Sequence, residues 1–149
     1  MPGGFLSKPG QGERVHFMGE IALIRARGED TGGLFSLREK RTPKGNGPAR
    51  HVHEREDEAF FILEGEFSVT VGEDTFEAKA GAFVFAPRGV PHSYVATAPG
   101  RHITLISPPG FERFFNDAAE AFIAGPAAVD AVAERFGVRM LGTAPDGEG

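Results

Sequence analysis

The sequence contains no cysteine among its 149 residues, which excludes a disulfide framework, a thiolate zinc site and a cysteine nucleophile. No apolar run approaches the roughly 18 residues of a membrane-spanning helix, and the first residues lack the apolar stretch of a signal peptide. The net charge of −5 and the scattered basic residues argue against binding to a nucleic-acid backbone. We therefore expect a cytoplasmic protein with neither nucleic acid nor a membrane as a partner.

Glycine and proline are abundant instead, with 21 and 11 residues, and 14 phenylalanines provide material for a core. This composition predicts many turns and short strands in one domain. Residues 1–12 resemble an arm and residues 143–149 a frayed tail. Period-2 alternation between residues 13 and 107 predicts about eight or nine strands, the spacing of a sandwich or barrel. The clearest strand segments are Glu20–Arg27, Leu34–Arg41, Ala59–Leu63, Phe67–Val71, Thr75–Ala78, Ala82–Ala86, His92–Ala96 and Ile103–Ser107.

Two segments of the chain allow further predictions, one about burial and one about helices. Ala59–Leu63 is almost entirely apolar and is expected to be buried on both faces. Residues 111–137 are rich in alanine and have helical spacing, with Pro126 suited to a first turn and Gly137 to a cap. We expect this helical segment to pack on the barrel, and a tail that binds a partner is the alternative. Its apolar positions are Phe111, Phe114, Phe115, Ala118, Phe122, Ile123, Val129, Val132, Ala133 and Phe136.

The chemistry of the chain centres on its histidines. In the sequence His51-Val-His53, two imidazoles would share one face of a strand, and Glu58 could fold back beside them. Such a pair is often only a solvated strand edge, but burying Glu58 at the start of an apolar strand would be costly without a cation. His92 could add a third imidazole from across the fold. His16 and His102 receive no role.

The spacing of these residues resembles the two sequence motifs of the cupin superfamily. Gly45, His51, His53, Glu58 and Gly65 stand at the positions of the first motif. The second motif is matched by Gly81, Pro87, Gly89 and His92, whereas position 96 is alanine where the family pattern has asparagine. That asparagine is not a metal ligand in the pattern, so the departure leaves the ligand set complete.

The resemblance implies an all-β fold, a jelly-roll β-barrel with a short C-terminal α-helical tail. It also implies one divalent transition metal (iron, nickel, manganese, cobalt, copper or zinc) held by His51, His53, Glu58 and His92. If these ligands point inward, alternation turns Phe60, Ile62 and Tyr94 inward too. The cavity is then expected to be apolar and aromatic, with no cluster of arginine or lysine, which favours an aromatic substrate.

The segment from Ser107 to Phe115 and the helical tail resemble the quercetinase-like single-domain cupins. This resemblance implies a dioxygenase in which Glu58, as ligand and general base, takes the proton of a flavonol-like enol. Dioxygen then attacks, and the ring opens with loss of carbon monoxide. A non-catalytic cupin that binds a small molecule, and a metal-dependent isomerase or cyclase, are alternatives because one barrel serves all three. Open sheet edges and the resemblance also suggest a homodimer, with the arm pairing across a partner subunit.

Overall fold

The computed structural model describes residues 2–17 and 20–142, so the predicted tail at 143–149 lies outside the described residues. The fold is all-β with two helices near the C-terminus, as expected for a jelly roll. Its elements are β1 (Glu13–Phe17), β2 (Glu20–Ala26), β3 (Ser36–Thr42), β4 (His51–His53), β5 (Asp57–Val71), β6 (Asp74–Lys79), β7 (Phe83–Ala86), β8 (His92–Ser107), α1 (Phe114–Ala124), α2 (Pro126–Arg135) and β9 (Val138–Met140).

The two longest strands, β5 and β8, lie at the centre of the fold. They pair antiparallel, and β8 also pairs with β3 and β4, while β1 and β2 extend the sheet beyond β3. Each long strand joins two segments that the sequence pattern separates: 59–63 with 67–71, and 92–96 with 103–107. Strands β5 and β8 therefore place side chains at both ends of the barrel interior.

A glycine marks the junction within β5. The first half of the strand pairs with β7 and the second half with β6, and the register with β8 shifts between Ile62 and Phe67. Gly65 lies in this interval with φ of +77°, and a Cβ there would lie 2.3 Å from the carbonyl oxygen of Pro99. Only glycine tolerates both the left-handed backbone and this close approach, which explains why two separate segments can be one strand.

Alternation along β5 divides buried from exposed side chains. Phe60 and Ile62 are buried in the barrel, but Phe61 between them is 45% exposed. The expectation that Ala59–Leu63 is buried on both faces is therefore wrong for this residue. An antiparallel sheet can leave one face to solvent, and the outer face here also carries the exposed rings of Phe83 and Phe85 from β7.

The C-terminal helices pack against one end of the barrel. Phe115, Ala118 and Val132 join Ile24 and Ile106 of the strands in one buried cluster. Packing onto the barrel is thus confirmed for the helical segment, although two of its predicted apolar positions lie outside. Those two are Phe122 and Ile123, which are 52% and 88% exposed. Among the described residues, no helix is long and apolar enough to cross a membrane.

Candidate metal centre and cavity

The backbone brings two distant parts of the sequence together at β4. His51 lies opposite His92 in the antiparallel pairing of β4 with β8. The loop before β4 packs closely against β8. A Cβ added to Gly47 would lie only 1.8 Å from the carbonyl oxygen of Tyr94, so glycine is required there. The amide of Gly45 also donates to the carbonyl of Ala96 at 2.8 Å. These close approaches fix the first pair of histidines beside the third.

Four side chains converge at this junction. His51, His53, Glu58 and His92 each offer one ligand atom, and these atoms all lie within 4.8 Å of one another. The Nε2 atoms of His53 and His92 lie 3.0 Å from the two oxygens of the Glu58 carboxylate. Glu58, His53 and His92 are each only 1% exposed. The structure thus brings together all four residues that the sequence singled out.

The other ring nitrogen of each histidine has a fixed partner. The Nδ1 partners are the carbonyl of Ala49 for His51 (2.7 Å), the Glu56 carboxylate for His53 (3.2 Å) and the carbonyl of Val90 for His92 (3.4 Å). An acceptor at Nδ1 favours the tautomer with its proton there and leaves the Nε2 lone pair free for a metal. Glu56 carries no such signal in the sequence, because its acidic neighbours Glu54 and Asp57 make the segment resemble a solvated loop.

The side chains at this junction fit a divalent transition metal. The Nε2 of His53 is buried and forms no hydrogen bond with any described residue, although it lies 3.0 Å from Glu58. That orientation suits a ligand atom better than a hydrogen-bond donor. Three imidazoles with one carboxylate suit iron, nickel, copper, manganese or zinc. Because the site has no thiolate ligand, it has no preference for metals that bind sulfur.

The electrostatics of the four residues are strongly coupled. Burial, together with the neighbouring imidazoles, lowers the pKa of His51 to about 3. Burial also opposes a charge on His53, but the carboxylates of Glu58 and Glu56 outweigh it and raise its pKa to about 9. Burial would raise the pKa of Glu58, yet His53, His92 and Arg38 hold it well below its usual value. The Glu58 side chain is therefore ionised at neutral pH.

A cavity of about 460 Å³ opens from this cluster towards the helices. Tyr94 lies on its wall as expected, while Phe60 and Ile62 lie deeper, in the apolar cluster that fills the other end of the barrel. The apolar and aromatic part of the lining comes mostly from the C-terminal segment. It includes Phe111, Phe114, Phe115, Phe122, Val129 and Met140.

The wall of the cavity also carries two cations that the sequence analysis did not expect. Arg38 and Lys40 both line it, so the expectation of a cavity without clustered basic residues is wrong. Lys40 Nζ lies 3.3 Å from the Glu20 carboxylate, and the Tyr94 hydroxyl donates to the same oxygen at 3.0 Å. Burial lowers the pKa of Lys40, against the opposing charge of Glu20.

The missed cations come from the polar residues of β3. Its inward side chains are Ser36, Arg38, Lys40 and Thr42, which are buried, whereas Leu37 lies half-buried on the outer face. A polar site inside a barrel reverses the usual apolar-in pattern, so the alternation alone could not assign the faces. The only local signal is a basic residue at every second position, 38 and 40, in a predicted strand.

Two histidines remain outside the cluster. His16 is exposed on β1. His102 is 1% exposed and contacts the rings of Phe60, Phe67 and Tyr94 inside the barrel. Burial, with the nearby charges of Lys40 and Arg38, holds the pKa of His102 well below its usual value. It is therefore a neutral member of the packed interior.

Comparisons with known proteins agree with this fold. Residues 38–106 match the sequence profile of the cupin domain family. The quercetin 2,3-dioxygenase of Bacillus subtilis (strain 168) is 32% identical over 90 residues, covering 60% of this chain but 27% of that enzyme. This chain thus spans little more than a quarter of that relative's length.

Two solved structures share the architecture. KdgF from Halomonas sp. has a TM-score of 0.66 at 21% identity, covering 74% of this chain and 98% of that one. An RmlC-like cupin from Shewanella frigidimarina NCIMB 400 has a TM-score of 0.65 at 23% identity, covering 74% and 96%. The matched profile and the shared fold thus show a cupin-type domain at residues 38–106 of this chain.

Proposed function

We propose that this chain is a metal-dependent dioxygenase that acts on a flavonol-like or other aromatic enol. The observation that carries the proposal is the position of the three imidazoles and one carboxylate on the floor of a cavity walled by aromatic rings. The cavity volume of about 460 Å³ lies within the ~300–1,000 Å³ range of sites for small organic molecules. The resemblance to a quercetin dioxygenase over 90 residues supports the same reaction class.

In this proposal His51, His53, Glu58 and His92 hold the metal. When bound, the metal would supply Lewis acidity that lowers the pKa of an enol hydroxyl at its open positions. Glu58 accepts the hydroxyl proton, because its carboxylate is already ionised at neutral pH and faces the cavity. Phe111 and Phe115 hold the aromatic skeleton and keep water away from the floor.

Oxygen uptake with quercetin tests the proposal directly. We expect purified protein, loaded in turn with iron, nickel, manganese, cobalt, copper and zinc, to consume oxygen with at least one metal. Glu58→Gln should lose both metal retention and turnover, because it removes the charge of the ligand and the base. Glu54→Gln, an exposed neighbour on the same segment, is the matched control and should leave both unchanged.

The other possible results of this experiment distinguish between the alternative functions. Quercetin binding without oxygen consumption at any metal would reject the dioxygenase for this substrate and favour a small-molecule-binding cupin. Conversion of an enolic aromatic into an isomer without oxygen uptake would favour the isomerase or cyclase. Unchanged activity in Glu58→Gln would remove Glu58 from its proposed role in any of these reactions.

We also propose a homodimer, formed through the outer face of the sheet. Phe61 and Phe83 are cross-strand neighbours there and are 45% and 63% exposed, and Phe85 beside them is 51% exposed. Three exposed phenylalanines on one sheet face are typical of an interaction surface. The N-terminal arm lies on its own chain, where Arg25 donates to the carbonyls of Ser7 and Lys8 at 2.8 Å.

Sedimentation velocity tests the dimer. The protein should sediment as a dimer at micromolar concentration, and Phe83→Glu should shift it to a monomer because a charge would be buried against apolar rings. Phe76→Glu, on the edge strand β6 and also 46% exposed, is the matched control and should leave the dimer intact. A monomeric wild-type protein would reject the proposal.

A further inference from the structure

The guanidinium of Arg38 is the polar group in the cavity wall whose hydrogen bonds are least satisfied. Arg38 is 7% exposed, and its Nη2 donates to Glu58 at the long distance of 3.4 Å. Its Nε and Nη1 atoms are buried and have no hydrogen-bond partner among the described residues. Buried donors without acceptors are costly, so an acceptor supplied by a ligand would be favoured at this position.

Aromatic rings hold this guanidinium in place. Its central carbon lies 5.4 Å from the centre of the Phe111 ring and 5.0 Å from that of Phe115. Cation–π contacts of this kind hold the charged group without using its N–H donors. Both rings also line the cavity, so a ligand that packs on them would reach Arg38 at the same time.

The charges around the cavity do not balance once a metal is present. Lys40 is paired with Glu20, and Arg38 is paired with Glu58. Glu56, behind His53, adds a third buried carboxylate to these two cations. A divalent metal with neutral imidazoles therefore leaves one positive charge in excess. The exposed Asp130 at the mouth is screened by solvent and does not cancel it.

We propose that Arg38 is a specificity-determining residue that makes the cavity select aromatic molecules carrying a single negative charge, either a carboxylate or an ionised enol. The anionic oxygen accepts hydrogen bonds from Arg38, and the ring packs on Phe111 and Phe115. This inference rests on the metal centre proposed above, but it concerns ligand selection and not the reaction.

A matched pair of ligands tests the selection without any turnover. Calorimetry on zinc-loaded protein compares 2-naphthoate with 2-naphthamide, which has the same ring and no charge. We expect the carboxylate to bind roughly 10- to 100-fold more tightly, the range for a hydrogen bond to a charged group. A second pair, 3-hydroxyflavone and flavone, tests an enol that loses its proton on binding, and a preference for the acidic member in either pair supports the proposal where Arg38→Gln removes it.

Substitutions on β3 then assign the preference to Arg38. Arg38→Gln should reduce the preference to less than about 3-fold, whereas Arg38→Lys should keep a part of it, because the charge remains and donors are lost. Arg41→Gln is the matched control, because Arg41 lies three residues along the same strand and is exposed on its outer face. Zinc content is measured in every variant, so loss of the metal is distinguished from loss of selection.

Equal binding of both members in both pairs by the wild-type protein would overturn the proposal. An equal loss in Arg41→Gln and Arg38→Gln would overturn it too. If Arg38→Gln does not fold, Arg38→Lys decides: a reduced preference supports the proposal, and an unchanged preference would show that the guanidinium donors do not select the anion. Oxygen uptake is scored separately, so failure of the dioxygenase and failure of anion selection give different results.

Discussion

The two ends of the barrel interior are built from the same long strands but serve opposite purposes. At the end covered by the helices, β5 and β8 present Glu58 and His92 to a cavity. In its second half, β5 presents Phe67 and Val69 to a closely packed apolar cluster. The open end keeps the charged side chain of Arg38 with incomplete hydrogen bonding, whereas the closed end is filled by apolar side chains and the neutral ring of His102.

This difference shows how one strand can support both stability and chemistry. Side chains two residues apart share a face. The irregularity around Gly65 shifts the inward face from Glu58, Phe60 and Ile62 to Phe67 and Val69, so one long strand supplies both a ligand and core residues. The closed end contributes free energy of folding by burying apolar surface. The open end concentrates charge that burial makes unfavourable unless a metal or ligand compensates it. Substitutions at the two ends should therefore have separable effects.

The largest expected effect is a loss of stability at the closed end. Phe67 is 1% exposed, and Phe67→Ala should lower the free energy of unfolding by about 3–5 kcal/mol because it removes a buried ring and leaves a cavity. Chemical denaturation measures this change, and zinc affinity of the folded variant should stay the same. Ile123→Ala, at an 88% exposed helical position, is the control and should change stability little. Loss of zinc affinity in folded Phe67→Ala would show that the two ends are not separable.

The next effect is a pH dependence that belongs to the open end. The pKa of His53 is raised to about 9, above roughly 6.5 in the unfolded chain. This stabilisation is complete below about pH 6.5 and is lost as the pH rises to about 9. Metal-free protein should therefore lose on the order of 3 kcal/mol of unfolding free energy across this window. Urea denaturation at several pH values measures it, and His53→Gln should flatten the curve. A stability that rises with pH in this window would contradict the assignment.

Metal addition should produce a smaller shift in the opposite direction. At a free metal concentration of 100 times Kd, the folded state gains about 2.7 kcal/mol, which raises the Tm by about 5–10 °C in a chain of this length. Differential scanning calorimetry of chelator-treated protein, before and after metal addition, measures the shift. His92→Gln should abolish most of it, and His16→Gln, at an exposed position on β1, should retain it. A shift that survives in His92→Gln would place the metal elsewhere.

The smallest effect is expected at the residue behind His53. Glu56 is 6% exposed and accepts the Nδ1 proton of His53. Glu56→Gln should weaken zinc binding by roughly 10- to 100-fold, because the partner of a ligating imidazole orients the ring and raises its basicity. A competitive chelator titration measures the affinity. Glu54→Gln, two residues away and exposed, should bind zinc like the wild type, and equal affinities in all three proteins would mean that Glu56 only packs.

Local patterns were enough for most of the elements. Alternation predicted the strand around His92 and the inward position of Tyr94, and helical spacing predicted the two helices around Pro126. The same patterns could not show that 59–63 and 67–71 form one strand, because Gly65 interrupts the apolar sequence. The short strand β9 after Gly137 also escaped, since its three residues carry no periodic signal. It pairs with β4, a contact between distant segments.

The exposed ring of Phe61 illustrates a second limit. An apolar run looks the same whether one face or both faces are covered, because periodicity reports side-chain type and not what lies opposite. Leu37 and Arg38 show the converse case, in which the polar residue of an alternating pair is the buried one. Both errors concern the faces of a strand. In the first an apolar side chain lies on the outer face, and in the second a polar side chain lies inside the barrel.

The sequence by itself determined the chemistry available to this protein. Without cysteine, a metal site had to be built from imidazole and carboxylate, and the spacing of His51, His53 and Glu58 already identified the residues for it. Only the tertiary structure decided which other side chains share that space. Arg38 pairs with position 104 across β8, and Glu58 pairs with position 106. Such registers between distant strands are fixed by packing and loop geometry, so no local pattern could place a guanidinium beside the metal ligands.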